Sequence, residues 1–150
     1  MQDIVYGLVF TKEGVEEHEE ALAQLGLHIG LPTQRPEKTL AEGPDVFWAL
    51  SATEYWVIEA KSGSRTQRIH RGDANQLAGS MNWFRTRYGS IATATPVMVH
   101  KAHKLADDAS ATPGMMVLDE QGLQRLKAAA ISYAAGLAWI RGRTALVIGV

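Results

Sequence analysis

The chain has 150 residues, of which 46% are hydrophobic and 21% charged, a size and composition that indicate one globular domain and exclude a disordered segment. It contains no cysteine, which excludes disulfides and thiolate metal sites and fits a reducing cytoplasm. The formal net charge of −1 argues against nucleic-acid binding through bulk charge, and no apolar run reaches the roughly 18 to 20 residues of a membrane helix. We therefore expect one cytoplasmic domain over residues 1–150, in which any contact with nucleic acid uses a local basic patch.

The N-terminal segments predict a short strand or an extended segment, followed by a helix. The segment DIVYGLVF, residues 3–10, has the composition of a short strand or an extended segment. From Val15 to Ile29, apolar residues recur at three-, four- and seven-residue steps, which predicts a helix that Gly30 and Pro32 end. The polar segment TQRPEKTLAEGP that follows is rich in turn-forming residues, and we expect it to cross to the first strand of a sheet.

The middle and end of the chain predict an alternation of strands and helices. Two strands, DVFWAL at 45–50 and EYWVIEAK at 54–61, are expected to form a hairpin. The later elements are a helix at 73–89 with Asp73 as N-cap, strands at 95–100 and 114–119, and a long helix opened by Asp119. This alternation implies a mixed α/β sheet with helices on both faces, with its core at about residues 14–118. The apolar run TALVIGV at the C-terminus fits an extra edge strand, a contact between copies of the chain, or the cut edge of a larger protein.

The hairpin has a register that the sequence favours. If residues 51–53 form the loop, position 45 lies opposite position 59, and Trp48 lies opposite Trp56 as an aromatic cross-strand pair. A loop of two residues would move Asp45 to the wrong face of the sheet. The favoured register therefore places the carboxylates of Asp45 and Glu59 directly across from each other.

Two facing carboxylates need a partner, because like charges directly opposite on a sheet are destabilising. A hard divalent cation such as Mg²⁺ meets this need, since it binds carboxylate oxygens and keeps several waters. Lys61 lies on the same strand face as Glu59, and beside such an ion it could contact a phosphate or help polarise water. The alternative is a solvent-exposed strand end whose charges form an ordinary cross-strand ion pair.

The order Pro44-Asp45, thirteen residues, then Glu59-Ala60-Lys61 resembles the PD-(D/E)xK signature of the restriction-endonuclease-like nuclease superfamily. The wider stretch LGLHIGLPTQRPEK…PVMVH is similar to the nuclease-like region at the C-terminal end of some bacterial DEAD/DEAH-box helicases. The resemblance implies a restriction-endonuclease-like αβββαβ core over roughly residues 14–100. It also implies that the protein cleaves DNA with Mg²⁺ or Mn²⁺, in DNA processing, repair or defence against foreign DNA. A helicase or ATPase partner and a homo-oligomer are left open.

The resemblance also implies a role for each residue of the signature. The implied site consists of Asp45 and Glu59 as metal ligands, the backbone carbonyl of Ala60 as a further ligand, and Lys61 as the catalytic lysine. Many members add a glutamine on the next helix, where this chain has Gln76, although Ser80 stands where a Gln-x-x-x-Tyr motif has its tyrosine. Many members also have a glutamate on the first helix, for which Glu19 is the candidate. The alternatives are a helix-surface role for Gln76 and a helix-dipole role for Glu19.

A basic segment follows the hairpin and contains the candidate DNA-binding residues Arg65, Arg68, His70 and Arg71. Beside a phosphodiesterase centre these side chains would position phosphates, and otherwise they form a solvated turn. Arg85 and Arg87 are candidates to extend the patch, and Arg35 is a weaker candidate of the same kind.

His100 and His103 are expected to be surface histidines, since no third metal ligand lies near them in sequence. The tryptophans are expected to anchor the core or an interface; they are Trp48, Trp56, Trp83 and Trp139.

The rival functional hypothesis is a nuclease fold that serves as a non-cleaving DNA-binding or assembly module of a larger helicase or defence complex. A structural domain with coincidental strand-end charges is a third hypothesis.

Overall fold

A computed structural model describes residues 1–147, with side chains described for residues 1–138. The helices are α1 (Gln2–Gly7), α2 (Val15–His28), α3 (Pro36–Leu40), α4 (Arg71–Tyr88) and α5 (Glu120–Val147). The strands are β1 (Thr33–Gln34), β2 (Val46–Ala49), β3 (Glu54–Lys61), β4 (Thr93–His100) and β5 (Met116–Leu118). No helix within residues 1–147 has both the length and the apolarity that a membrane crossing requires.

The five strands form one mixed sheet in the order β1-β2-β3-β4-β5. Strand β2 pairs antiparallel with both β1 and β3, whereas β4 pairs parallel with both β3 and β5. Leu22 and Leu25 of α2 and Leu123 of α5 pack on one face, and Leu77 and Phe84 of α4 pack on the other. The predicted mixed α/β sheet with helices on both faces is confirmed. From α2 to β4 the order is α-β-β-β-α-β, with the short α3 inserted after β1.

The β2–β3 hairpin has the predicted register. Trp48 pairs with Trp56, and their rings stack with centroids 5.6 Å apart. The amide of Leu50 donates to the carbonyl of Glu54 at 2.9 Å, which leaves residues 51–53 as the loop. Strand alternation then sends Trp48 towards α2 and the neighbouring Phe47 towards α4.

The prediction of a short strand or an extended segment at residues 3–10 is wrong for its first five residues. Residues 2–7 form α1, and Leu8 after it is fully buried against the core that α2 shares. Gly7 permits this packing, since a Cβ there would lie 2.8 Å from the Cβ of Ala21. The segment therefore covers α2 instead of joining the sheet, because burial of Leu8 outweighs the weak strand propensity of a short apolar run.

Three other boundaries differ from the sequence-based expectation. The polar segment after α2 contains β1 and α3, and α4 begins at Arg71 with His70 as its N-cap instead of Asp73. The predicted cap at Asp119 is confirmed, since its carboxylate accepts from the amide of Gly122 at 2.8 Å. Helix α5 continues to Val147, so residues 144–147 are not an edge strand, and the end of the TALVIGV run lies outside the described residues.

The expectation that His100 is a surface residue is wrong, because its side chain is 0% exposed. His100 ends β4, and its Nδ1 accepts a hydrogen bond from the amide of Ala102 at 2.9 Å, so the following turn folds over the ring. His103 is exposed as expected. Trp48 is buried, Trp56 and Trp83 are half-buried against the core, and the side chain of Trp139 lies outside those described.

Candidate functional site

The hairpin brings Asp45 and Glu59 together at the edge where β3 ends. Asp45 directly precedes β2, and its Oδ2 accepts a hydrogen bond from the amide of Ala60 at 2.7 Å. Asp45 and Glu59 are both buried, at 6% and 5% exposure. Both residues line one cavity of about 200 Å³. The carboxylates therefore face the same space, as the register predicts.

Lys61 completes this side of the cavity. Its Nζ lies 3.5 Å from Oε2 of Glu59, and its side chain is 21% exposed, so the ammonium is reachable from solvent. The backbone amide of Ala60 is engaged by Asp45, and Ala60 lines an adjoining cavity of about 370 Å³. The role of the Ala60 carbonyl as a ligand stays a prediction.

Helix α4 supplies the opposite wall. Gln76 lines the smaller cavity, so the structure brings it to the two carboxylates. Ser80, one turn further along the same helix face, donates to Oε1 of Glu59 at 2.5 Å. Ser80 therefore contacts the site directly, although in the sequence it is visible only as a departure from the Gln-x-x-x-Tyr motif. The four-residue spacing from Gln76 was the signal that could have identified it.

Two glutamates from other elements also reach Asp45. Carboxylate oxygens of Glu19, Glu37 and Asp45 all lie within 4.8 Å of one another. Glu19 belongs to α2, as predicted, whereas Glu37 on α3 was missed. The amide of Glu37 donates to the carbonyl of Pro44 at 3.2 Å, which ties α3 to the residue before Asp45. Pro36 at the first helical position was the sequence signal for this short helix.

Arg35 positions the acids of α2 and is not available to DNA. Its side chain is only 8% exposed, and its guanidinium contacts Glu16 at 2.9 Å, Glu19 at 2.6 Å and Glu20 at 3.0 Å. The hypothesis that Arg35 contacts phosphate is therefore wrong, because three carboxylates already surround the buried charge. The contact with Glu19 instead fixes the carboxylate that faces Asp45.

Burial makes the ionised form of the carboxyl groups in the site unfavourable. Burial raises the pKa of Asp45 to about 6, and it also raises the pKa of Glu59. A hydrogen bond with Asp45 raises the pKa of Glu37 to about 7, since one of the two carboxyls must then hold a proton. Burial raises the pKa of Glu19 despite the nearby Arg35.

A divalent cation fits this donor set. The carboxylates of Asp45 and Glu59 offer hard oxygen atoms, which Mg²⁺ and Mn²⁺ prefer, and the neighbouring cavities leave room for water. A cation would also stabilise the charged form of the carboxyls of Asp45 and Glu59, whose pKa values burial raises. Glu19 and Glu37 lie close enough to Asp45 to add oxygen ligands, and these three acids, without Glu59, form a group whose oxygens all lie within 4.8 Å of one another.

We expect Asp45→Asn to change how folding stability depends on pH. In the unfolded chain Asp45 ionises near its ordinary pKa of 3.8, but in the folded protein it ionises near 6. An acid with a raised folded pKa makes the wild type lose stability, relative to the variant, as pH rises from about 4 to about 7. The relative loss should be on the order of 2 kcal/mol. Urea denaturation of both proteins over this pH range, with chelator present, measures it.

Mg²⁺ provides the control for this pH experiment. At pH 7 the ion should raise the free energy of unfolding of the wild type but not that of Asp45→Asn. If the free energies of unfolding of the two proteins change in parallel with pH, and Mg²⁺ has no selective effect, the buried Asp45 carboxylate is not an unfavourable, cation-binding group.

The basic residues after the hairpin precede or begin α4, and nearby acids partly neutralise their positive charge. The residues are all exposed: Arg65, Arg68, His70 and Arg71. Arg68 lies 3.7 Å from Asp107, and Arg71 lies 3.9 Å from Asp108, so acids of a neighbouring loop reduce their net charge. Arg85 lies fourteen residues along α4 from Arg71, about 21 Å away, and therefore does not extend this patch. DNA contact by these residues stays a prediction.

Protein-family models, curated proteins and solved structures give no match to this chain. Inference about its function therefore depends on the residues themselves and their geometry. Two buried carboxylates and a lysine around a polar cavity are suited to binding a divalent cation and an anionic substrate group such as a phosphodiester.

Proposed function

We propose that the chain is a metal-dependent DNA endonuclease that hydrolyses phosphodiester bonds with Mg²⁺ or Mn²⁺. The observation that carries the proposal is the convergence of Asp45, Glu59 and Lys61 on one cavity, in the order of the PD-(D/E)xK signature that they resemble. The α-β-β-β-α-β order of the chain supports it as well. We place the activity in the cytoplasm, in DNA processing, repair or defence against foreign DNA.

The residues of the chain divide the work of the proposed reaction. Asp45 and Glu59 would hold the cation, with the Ala60 carbonyl as a further ligand. The bound ion would supply Lewis-acid stabilisation of phosphate charge and would acidify water. Lys61 binds an oxygen of the scissile phosphate and stabilises the negative charge that builds up in the transition state. Ser80 fixes the rotamer of Glu59 through its 2.5 Å hydrogen bond.

The position of Lys61 suits this role. Its ammonium is 3.5 Å from Glu59, so the carboxylate keeps it at the cavity without enclosing it. The partial exposure of its side chain leaves donor positions free to bind substrate. Gln76, on the wall formed by α4, can hydrogen-bond the substrate or an ordered water from the same side.

Incubation of the protein with linear, circular and branched DNA tests the proposal. We expect cutting with Mg²⁺ or Mn²⁺ and none with chelator. DNA retention without cutting under all metal conditions would favour the rival hypothesis of a non-cleaving binding module. If the protein neither cuts nor retains DNA, both functions are excluded for the isolated chain.

A further inference from the structure

A cavity of about 440 Å³ lies between the β2–β3 hairpin and the C-terminal end of α4. Its walls combine the aromatic side chains of Phe47, Tyr55 and Tyr88 with small residues such as Ala49 and Ala52. We refer to this cavity as the aromatic pocket. Its volume is sufficient for a planar heteroaromatic group, and its mixed lining is typical of small-molecule sites.

The aromatic pocket continues the face of the sheet that holds the proposed site. Phe47 follows Asp45 by two residues, so the two side chains point to the same face about 7 Å apart along the strand direction. Tyr55 precedes Glu59 by four residues on the adjacent strand, and its ring stacks on Phe47 at 4.9 Å. Helix α4 covers the sheet face between the site and the pocket with Leu77, Met81 and Phe84, so a ligand that reaches both has to pass outside this buried cluster, on the side of Trp83.

Trp83 connects the two cavities. Its ring meets the edge of Phe47 at 5.7 Å, and a Cβ on Gly43 would lie 2.8 Å from its indole. Gly43 itself lines the cavity of Asp45 and Glu59. Trp83, which is half-buried, therefore contacts one residue from the lining of each cavity, while Phe47 is only 3% exposed and the half-buried rings of Tyr55 and Tyr88 provide the accessible aromatic surface of the pocket.

The polar groups around the pocket match a nucleotide. Gln34 lies opposite Phe47 in the sheet and lines the pocket, where its amide can donate to and accept from the edge of a base. Arg85 and Arg87 lie on the last turn of α4, next to Tyr88, and both are exposed. Arg87 forms an ion pair with Glu42 and lies over the ring of Trp83, whereas Arg85 bonds only the neutral amide of Asn82, so Arg85 is the better placed of the two to contact a phosphate beside a bound base.

We propose that the aromatic pocket binds one unpaired nucleobase close to the scissile phosphate, which makes single-stranded or flapped DNA the preferred substrate class. This inference rests on the proposed nuclease function. Stacking on aromatic side chains tolerates any base, because every base offers a π-face. A paired base stays stacked in its duplex and cannot enter the pocket unless it is first flipped out.

Binding of a short oligothymidylate, compared with a duplex of the same length, tests this proposal with wild-type protein in chelator, so that no cutting interferes. We expect tighter binding of the single strand. Tyr88→Ala should weaken that binding about tenfold, because it removes one aromatic surface from the pocket. Tyr133→Ala, which removes an exposed tyrosine from α5, is the matched control and should leave binding unchanged.

Ala49→Leu keeps the test decisive if Tyr88→Ala destabilises the aromatic cluster. The larger side chain fills the pocket without removing an aromatic ring, so it should weaken single-strand binding to a similar extent in a protein whose thermal unfolding is unchanged. Unchanged single-strand binding by a folded Ala49→Leu protein, or equal wild-type affinity for both DNA forms, would overturn the pocket proposal.

The outcomes separate the pocket from the nuclease. Metal-dependent cutting combined with unchanged binding by the pocket variants would overturn the pocket alone. Single-strand binding that Ala49→Leu abolishes, in a protein that never cuts DNA, would support the pocket and overturn the nuclease function.

Discussion

Lys61→Ala is expected to slow Mg²⁺-dependent DNA cutting by about 100- to 1000-fold, the loss that follows removal of one preorganised group from a developing charge. The ammonium of Lys61 is the cation nearest Glu59 among the described side chains, at 3.5 Å, and it borders the cavity that would hold the phosphate. Single-turnover cleavage with saturating Mg²⁺ measures the chemical step apart from product release.

The control for this prediction is Lys104→Ala, which removes an exposed lysine from a loop that lies outside the lining of either cavity at Asp45. Its cleavage rate should equal that of the wild type. Thermal unfolding should show both variants to be folded, since Lys61 is partly exposed. Equal rates for Lys61→Ala and the wild type would remove the catalytic role of Lys61.

Arg35→Met is expected to destabilise the fold by about 3 to 5 kcal/mol, since it leaves buried negative charge without its partner. The guanidinium of Arg35 contacts three glutamates of α2, and Glu19 among them is mostly buried with a side-chain exposure of 13%. Without the arginine, Glu19 repels Asp45 or takes up a proton, and α3 loses its main polar contact with α2. Urea denaturation at pH 7 measures the loss.

Lys38→Met provides the matched control for Arg35. Lys38 contacts Glu16 at 2.5 Å, but both side chains are more than half exposed, so this ion pair should contribute under about 1 kcal/mol. A similar stability loss for both variants would contradict the explanation that Arg35 stabilises the fold more than Lys38 because its charge is buried.

The hairpin could be predicted from sequence because its determinants are local. Strand alternation, a short polar loop and the facing indoles of Trp48 and Trp56 are all visible within residues 45–61. The register then follows, and with it the meeting of Asp45 with Glu59. Helix α1 could not be predicted, because a six-residue segment has no helical periodicity, and its conformation depends on packing against α2.

The acids around Asp45 show the same division between local and tertiary information. Glu19 could be named as the first-helix candidate from the resemblance, but the sequence did not show that Arg35 holds it in place. Glu37 was missed because α3 has only five residues and lies in a segment rich in turn-forming residues. His100 was assigned to the surface for a similar reason, since the sequence does not show that the turn after β4 folds back and bonds its ring through the amide of Ala102.

Anomalous diffraction from crystals of the protein soaked in Mn²⁺ tests most directly whether Asp45 and Glu59 hold a divalent cation beside Lys61. We predict one anomalous peak bound by both carboxylates, with the ammonium of Lys61 next to it, and no such peak in crystals of Asp45→Asn. An empty cavity in the wild type, or Mn²⁺ bound only at other residues, would contradict the proposed metal site and the nuclease mechanism that depends on it.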